Sequence, residues 1–380
     1  MPPVEPSRRQ VLATVIGAAL VGCRPDPRTP LFPGEGSFAG GDYLGDVEID
    51  DKADPTLEAL EGEGLDARRR IDIAELGPDR LTTPLERFYV RTLTPSLPAE
   101  WAVSFEGMCA APFQLATAQL PTLSRDAGDV LLECAGNGNG EKYGLMSCAA
   151  WSGVPLAPLL EQAGPTPESR VLVEGWDPDE VSPRGSRPGC SWIFTVADLA
   201  DAVLATGLAG QPLSAAHGGP VRLLVPGWYG CANPKWVRTV RFVPDDAPVT
   251  TQMKEYAVRT HQDGVPDLAR NYRSARQGIS GVAVRVERWR ISAGERFRVV
   301  GLRWGGERPV DGLEIRFDKD EPWSAITWCP TPSSVHAWSP WWHDWSPTRS
   351  GKHSIQLRCT APGADTRRLD TGWYTRRVSV

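Results

Sequence analysis

The spacing of hydrophobic positions along the chain changes at three points. A mainly apolar run occupies residues 11–22, and the stretch that follows, up to residue 75, shows no sustained period. Between residues 76 and 255, short apolar runs typical of buried strands alternate with segments of helical spacing. Beyond about residue 280, apolar and polar residues alternate, which predicts half-buried strands. The pattern therefore predicts a leader, a link and two folded domains.

The first folded domain, residues 76–255, is predicted to be α+β. Strands are expected at 130–132, 170–173 and 221–225, and helices at 155–163 and 196–208. Because strands and helices are mixed along this part of the chain, the pattern is typical of an α+β domain. The 38 glycines and 35 prolines of the chain also favour a loop-rich, β-containing architecture over a helical bundle.

The second domain, residues 256–380, is predicted to be an immunoglobulin-like β-sandwich. Its alternating segments are 282–287, 297–300, 313–317 and 353–358. Glycine and proline turns separate these segments, as in sandwiches of antiparallel strands. Nine of the 15 tryptophans lie between Trp289 and Trp373, and we interpret most of them as packing residues rather than as a binding platform.

Charge and cysteine content argue against two classes of protein. The formal net charge is −6, whereas a dedicated nucleic-acid-binding protein normally carries a basic patch or stripe, so no nucleic-acid partner is expected. The eight cysteines are too sparse in 380 residues for a disulfide scaffold. A bridge between Cys329 and Cys359 in the second domain is still compatible with the sequence.

The apolar run at residues 11–22 predicts an export signal. Arg8 and Arg9 precede it, as in twin-arginine signals, and Cys23 ends a Leu-Val-Gly-Cys sequence that is similar to a bacterial lipobox. The twelve residues of the run are too few to span a bilayer as a helix. We therefore interpret residues 1–23 as a signal of the twin-arginine lipoprotein type.

This signal has consequences for location and cofactor. Residues 24–75 are rich in proline, glycine and acidic residues, and we interpret them as a tether that lifts the protein off a membrane. The protein is expected on the periplasmic side of a bacterial membrane, attached only through a lipid on Cys23. Because the twin-arginine pathway exports folded proteins, the signal favours an enzyme that receives its cofactor before export.

Cys134 is the first candidate for chemistry. It directly follows an apolar strand and precedes a turn of small residues. A cysteine in this position is most often a packed thiol or half of a disulfide. It could instead bind a soft transition metal, because its small neighbours allow a large group to approach closely. His217, Arg222 and Lys235 lie on loops after other apolar strands and would supply cations and donors to a phosphate.

Five short segments occur in an order and spacing that match one known family. Their sequences are FYVR at 88–91, ECAGN at 133–137, HGGPVR at 217–222, VPGWYG at 225–230 and NPKW at 233–236. The segments WSGVPL at 151–156 and GQPL at 210–213 fit the same pattern. Over about residues 80–380, the chain resembles the sulfite oxidase family of molybdopterin-dependent oxidoreductases and is similar to a divergent exported bacterial member. That family places an immunoglobulin-like domain after its cofactor domain.

The resemblance implies two cofactor components, molybdenum and molybdopterin, and a set of residues that would hold them. Cys134 would be the thiolate ligand of the metal, Arg91 would face the metal, and Tyr256 would be the active-site tyrosine, so these three are the candidate catalytic residues. The candidate cofactor-binding residues are Tyr89, Val90, Arg91, Thr92, Leu93, Asn137, Asp177, His217, Arg222, Asn233, Pro234 and Lys235.

Several positions depart from the family pattern. The family continues its cysteine motif with two arginines where this chain has Gly138 and Asn139, and a pterin-contacting histidine is replaced by Leu93. For a further substrate arginine near the family's C-terminus, the candidate here is Arg367 or Arg368. Because a guanidinium recognises an oxyanion through two hydrogen bonds, we expect weaker sulfite binding than in a standard member unless another arginine substitutes.

The resemblance implies two-electron oxo transfer on a small-molecule substrate of the sulfite-like oxyanion or S-oxide class. The sequence contains no haem-attachment motif and no ferredoxin-like run of cysteines, so electrons are expected to pass to or from an external carrier such as a periplasmic cytochrome. A homodimer is compatible with the family. The alternative is a binding or structural lipoprotein that keeps the cofactor fold without turnover. The retained cysteine and cationic residues favour the enzyme.

Overall fold

The computed structural model describes residues 36–49, 56–76, 81–176 and 190–380. These residues form mostly β-sheet with a few short helices. No helix among them is both long and apolar enough to cross a lipid bilayer. The predicted signal at 1–23 and the candidate residue Asp177 lie outside the described residues.

Residues 42–91 contribute four short strands. These are β1 (Asp42–Val47), β2 (Leu60–Glu61), β3 (Arg68–Arg69) and β4 (Val90–Arg91). Strands β2, β3 and β4 form a small sheet of their own, and Leu65 and Ile73 beside it are buried. The prediction of a tether is therefore wrong for residues 36–49 and 56–75, because strands of two residues and single helical turns bury apolar side chains without producing a periodic pattern.

Residues 102–243 form two five-stranded sheets. Their strands are β5 (Ala102–Gly107), β6 (Phe113–Ala116), β7 (Arg125–Glu133), β8 (Met146–Pro155), β9 (Arg170–Gly175), β10 (Ser191–Phe194), β11 (Val203–Leu208), β12 (Gln211–Pro212), β13 (Arg222–Leu224) and β14 (Val237–Val243). One sheet has the order β10-β9-β14-β5-β6, in which β14 and β5 run parallel. The other has the order β12-β11-β8-β7, with β13 paired to β11. Strands β7, β9 and β13 confirm three predicted strands.

The described residues contain four short α-helices. They are α1 (Leu120–Leu123), α2 (Leu156–Ala163), α3 (Thr251–Tyr256) and α4 (Arg367–Asp370). Helix α2 confirms the helix predicted at 155–163, and Gly164 ends it in the left-handed conformation that favours glycine. The helix predicted at 196–208 is wrong after its first turn, because β11 occupies the rest. Every residue of β11 is buried, and such a strand has the continuous apolar run that a buried helix also shows.

The C-terminal part forms two four-stranded antiparallel sheets. Its strands are β15 (Ser280–Ile291), β16 (Gly294–Trp304), β17 (Leu313–Arg316), β18 (Ser324–Ala325), β19 (Ser339–Trp345), β20 (Lys352–Cys359) and β21 (Arg376–Ser379). The sheets have the orders β1-β15-β16-β19 and β18-β17-β20-β21. Side chains from both sheets share one core, in which the rings of Phe317 and Trp345 stack with centroids 4.2 Å apart. The four predicted strands are confirmed, and the immunoglobulin-like class stays a prediction.

No disulfide is found among the described cysteines. Cys329 and Cys359 form no bridge, and Cys109, Cys134, Cys148 and Cys231 are also free thiols. Disulfides therefore do not cross-link the parts of the chain that the structure describes. Hydrogen bonds join the two halves at the turn that follows β7.

Candidate active site

The turn after β7 presents the thiol of Cys134 to a cavity. The last four residues of β7 are buried, and beyond them the Cys134 N–H donates to the carbonyl of Leu145 at 2.9 Å while the Asn137 N–H donates back to the Cys134 carbonyl at 2.8 Å. The Cys134 side chain is free and only 6% exposed. Burial raises the pKa of this thiol, although the charge of Arg91 opposes the rise. A bound metal cation would be needed to hold it as a thiolate at pH 7.

A buried carboxylate holds this turn in place. Glu133 is 0% exposed. Its carboxylate accepts hydrogen bonds from Arg368 at 2.9 Å, from the indole of Trp304 at 2.9 Å and from the hydroxyl of Tyr374. Arg368 also donates to the carbonyl of Ala135 at 2.8 Å. The donors come from the C-terminal half of the chain, so that half positions the residues on both sides of Cys134.

Asn137 belongs to the same turn and does not line the cavity. Its side-chain oxygen accepts from the Leu145 N–H at 3.1 Å, and its backbone carbonyl accepts from the Trp373 indole at 2.6 Å. The Trp373 ring also covers Gly138, where an added Cβ would meet it at 3.4 Å. Asn137 is therefore structural here, and a side chain at position 138 would begin in van der Waals contact with an indole.

Ten of the predicted site residues line one cavity beside Cys134. They are Tyr89, Arg91, Thr92, Cys134, His217, Arg222, Asn233, Pro234, Lys235 and Tyr256. Val90 instead packs in the core, and Leu93 lies beside the cavity with its N–H bonded to the carbonyl of Gly64 at 2.8 Å. Segments at residues 89–92, 134, 217–222, 233–235 and 256 thus meet at one thiol.

Lys235 and His217 both line the cavity beside Cys134 but differ in charge. The Lys235 ammonium donates to three carbonyls, those of Arg91 at 2.9 Å, Thr92 at 2.7 Å and Ala216 at 3.0 Å. Burial lowers the pKa of His217 to about 4, so this ring is neutral at pH 7. Its Nε2 contacts the Phe88 carbonyl at 3.1 Å and therefore carries the proton. Among the cations and donors expected on these loops, His217 is therefore a neutral donor.

Arg222 supplies a buried positive charge. Two of its nitrogens donate to the carbonyls of His217 at 3.0 Å and Asn233 at 3.1 Å, and its Nε is buried without a hydrogen-bond partner. None of the ion pairs found among the described residues includes Arg222. Burying a guanidinium without a counter-ion is unfavourable, so this wall of the cavity suits an anionic group such as a phosphate.

Tyr256 and Arg91 mark the junction with a second cavity. Tyr256 ends α3, whose first turn is capped by the Thr250 hydroxyl, and burial raises the pKa of its phenol. Arg91 donates to the carbonyl of Leu65. Both residues, together with Cys134, line the first cavity and also a second one of about 360 Å³. The three candidate catalytic residues therefore lie where the cavities meet, and their roles stay predictions.

The second cavity contains charged residues that sequence reasoning missed. They are Asp66, Arg68, Glu141, Glu255 and Arg259. Arg259 could have been found, because it follows Tyr256 by three residues in a continuous helical turn and so lies on the same side. The two arginines suggested near the C-terminus line neither cavity. Arg368 is bound to Glu133, and Arg367 pairs with Asp365 at 2.6 Å on the surface.

Part of the chain matches a known protein family. Residues 91–250 match the family model described as the oxidoreductase molybdopterin binding domain. Chicken (Gallus gallus) sulfite oxidase is 29% identical over 300 residues, 70% of this chain and 64% of that protein. Human mitochondrial sulfite oxidase is 30% identical over 247 residues, 56% of this chain and 45% of that protein. The chain thus spans less than two thirds of the length of these relatives.

Two further proteins extend the comparison. The catalytic subunit of protein-methionine-sulfoxide reductase from Xanthomonas campestris is 28% identical over 229 residues, 57% of this chain and 67% of that protein. The sulfane dehydrogenase SoxCD from Paracoccus pantotrophus has a similar structure, with a TM-score of 0.60 at 20% identity over 96% of this chain and 90% of that chain. At this identity the structural likeness concerns the fold alone.

Proposed function

We propose that this chain, a member of the sulfite oxidase family of molybdopterin-dependent oxidoreductases, catalyses two-electron oxo transfer on a small substrate. The observation that carries the proposal is the free, buried thiol of Cys134 in a cavity walled by Arg222 and Lys235. Relatives named sulfite oxidase and methionine-sulfoxide reductase support a substrate that is either a sulfite-like oxyanion or an S-oxide. Electrons would pass to or from an external carrier such as a periplasmic cytochrome.

The residues of the cavity suit the molybdenum cofactor. Cys134 offers a soft sulfur ligand, and the unpaired Nε of buried Arg222 offers a donor to a phosphate. Lys235 joins the strand-β4 loop to the Ala216 loop and keeps its charge between them. When bound, the cofactor supplies the two-electron redox change, while the protein supplies position and charge.

Arg91 and Tyr256 would act on the substrate. Both line the junction through which a molecule in the second cavity reaches Cys134. Because the pKa of Tyr256 is raised by burial, its phenol is protonated at pH 7 and can donate a hydrogen bond. The Arg91 guanidinium would stabilise negative charge on a bound oxygen, as positioned cations do in other enzymes.

Export and membrane attachment are part of the proposal. The twin-arginine pattern at Arg8 and Arg9 supports export of the folded protein, and Cys23 supports attachment through a lipid on the periplasmic side. These residues lie outside the described part of the chain. A homodimer is likewise proposed from the family resemblance.

Metal analysis tests the proposed function. Protein produced in a host that synthesises molybdopterin is expected to contain stoichiometric molybdenum, measured by mass spectrometry, and to turn over sulfite or an S-oxide with an artificial electron carrier. Protein from a host unable to make the pterin is the control. Absence of molybdenum would refute the proposal. Full molybdenum content without turnover of either substrate would favour the alternative of a binding lipoprotein.

Replacing Lys235 with methionine is expected to weaken cofactor retention about tenfold or more, because the cavity wall loses a positive charge that attracts an anionic cofactor. The measurement is the molybdenum and pterin content of protein purified through extensive dialysis. Lys319→Met, at an exposed lysine outside both cavities, is the control. Thermal unfolding of the cofactor-free proteins measures the stability lost with the three carbonyl contacts of Lys235. This loss can then be distinguished from a loss of cofactor binding. Equal cofactor content in both variants would show that Lys235 has no part in binding.

A further inference from the structure

The second cavity contains three guanidinium groups that differ in how their donors are used. Arg68 forms an ion pair with Glu141 at 3.0 Å, and Arg91 donates to backbone carbonyls. Within the described residues the Arg259 guanidinium makes no hydrogen bond, and its nearest carboxylate oxygen, on Glu255, is 3.8 Å away. Its N–H donors are therefore available for a ligand.

Arg259 lies over the turn that carries the thiol. A Cβ placed on Gly136 would be 3.9 Å from the Arg259 Cδ, 4.0 Å from its Nε and 3.8 Å from the Sγ of Cys134. The guanidinium carbon lies 5.3 Å from the centroid of the Tyr256 ring. The charge of Arg259 also acts to lower the pKa of both the Cys134 thiol and the Tyr256 phenol. The group thus stands beside both residues that the substrate would approach.

We propose that Arg259 is a specificity-determining residue, which binds an anionic substrate in place of the guanidinium groups absent at Gly138 and Asn139. The proposal rests on the proposed function, because it concerns the substrate of the same site. Gly138 cannot provide the contact, since it has no side chain. Arg259 reaches the site from the turn after α3, on a different segment of the chain.

The chemistry of the cavity limits which ligand Arg259 takes. A guanidinium with free donors binds an oxyanion through two parallel hydrogen bonds, and the second cation at the Cys134 junction is Arg91. Glu141 already forms an ion pair with Arg68. The Glu255 carboxylate is 3.8 Å from the Arg259 guanidinium, beyond hydrogen-bond distance, so a ligand oxygen can displace it. Asp66 remains as the third carboxylate of the cavity. The site is therefore expected to prefer a compact oxyanion over a neutral S-oxide.

The test compares Arg259→Gln, Arg259→Lys and a matched control in the holoenzyme. Arg270→Gln is the control, because Arg270 also lies in a single 3-10 turn, is equally exposed (48% against 47%) and has a carboxylate at a similar distance (3.7 against 3.8 Å). It lines neither cavity. Sulfate, which is not turned over, serves as the binding probe by titration calorimetry. The second readout is the ratio of kcat/KM for sulfite to that for dimethyl sulfoxide.

In the Arg259→Gln variant we expect the Kd of sulfate to rise and the kcat/KM ratio to fall, each about tenfold or more. The lysine variant should recover part of both, and the Arg270 variant should match the unchanged protein. Equal sulfate affinity in the Arg259→Gln variant and the unchanged protein overturns the proposal, as does a lack of sulfate binding in both. If molybdenum or turnover is absent while sulfate binding still depends on Arg259, the proposed function fails and the anion site stands.

Discussion

Replacing Cys134 with serine is expected to abolish turnover and to remove the sulfur ligand of the metal while the fold is kept. The hydroxyl is similar in size to the thiol, and the two backbone hydrogen bonds of the turn do not involve the side chain. A hydroxyl is a harder ligand and a weaker acid, so it does not replace a thiolate on a soft transition metal. Activity should fall by more than the roughly 100-fold that loss of an outer-shell partner costs.

Three measurements check this result: molybdenum content, turnover, and the absorption band of sulfur-to-metal charge transfer. Cys231→Ser is the matched control, because Cys231 lines the same cavity and is 7% exposed against 6% for Cys134. The control is expected to keep the charge-transfer band. A band that survives in the Cys134 variant and disappears in the Cys231 variant would show that the ligand has been assigned to the wrong cysteine.

Replacing Arg368 with methionine is expected to lower the free energy of unfolding by about 3–5 kcal/mol, as removal of one partner of a buried ion pair does. Both side chains of the pair are almost inaccessible, with 3% exposure for Arg368 and 0% for Glu133. The variant leaves a carboxylate in the core with only neutral donors, from Trp304, Tyr374 and the Asn137 amide. It also leaves the carbonyl of Ala135 without its 2.8 Å donor.

The neighbouring residue provides the control for this variant. Arg367→Met removes an exposed ion pair with Asp365, and such pairs contribute at most about 1 kcal/mol. Denaturant unfolding monitored by tryptophan fluorescence measures both variants. Adding Glu133→Gln to Arg368→Met should recover part of the lost stability, because the uncompensated charge is then removed. The assignment of a buried ion pair is wrong if the two single variants unfold at the same denaturant concentration.

Local sequence predicted the parts of the site that depend on neighbouring residues. An apolar strand followed by small residues identified the Cys134 turn, and short motifs identified the loops that carry His217 and Lys235. The partners of Glu133 could not be predicted in the same way, because Trp304, Arg368 and Tyr374 are 171 to 241 residues away along the chain. Nothing in the local pattern around a lone glutamate shows that distant donors will surround it.

The strands of the fold likewise divide into those that local sequence predicts and those that it does not. Strands such as β7 and β20 were predictable because their apolar residues repeat over several positions. The pattern over β11 predicts part of a helix, because a strand buried on both faces has no alternation to distinguish it. The N-terminal strands are not predicted, because β2, β3 and β4 have only two residues each and carry too little pattern. Strand β1 is ordered by pairing with β15, which lies far along the chain from it.

The ion pair between Glu133 and Arg368 also sets a time order for maturation. Glu133 is synthesised 235 residues before Arg368. Because protein synthesis adds about 5–20 residues per second, Arg368 becomes available to the loop around Cys134 on the order of ten seconds or more after that loop is made. A cofactor that requires the finished loop can therefore be inserted only after translation of the C-terminal half. Insertion of the metal would then be a late step, and bound metal would indicate that both halves of the newly made chain have folded.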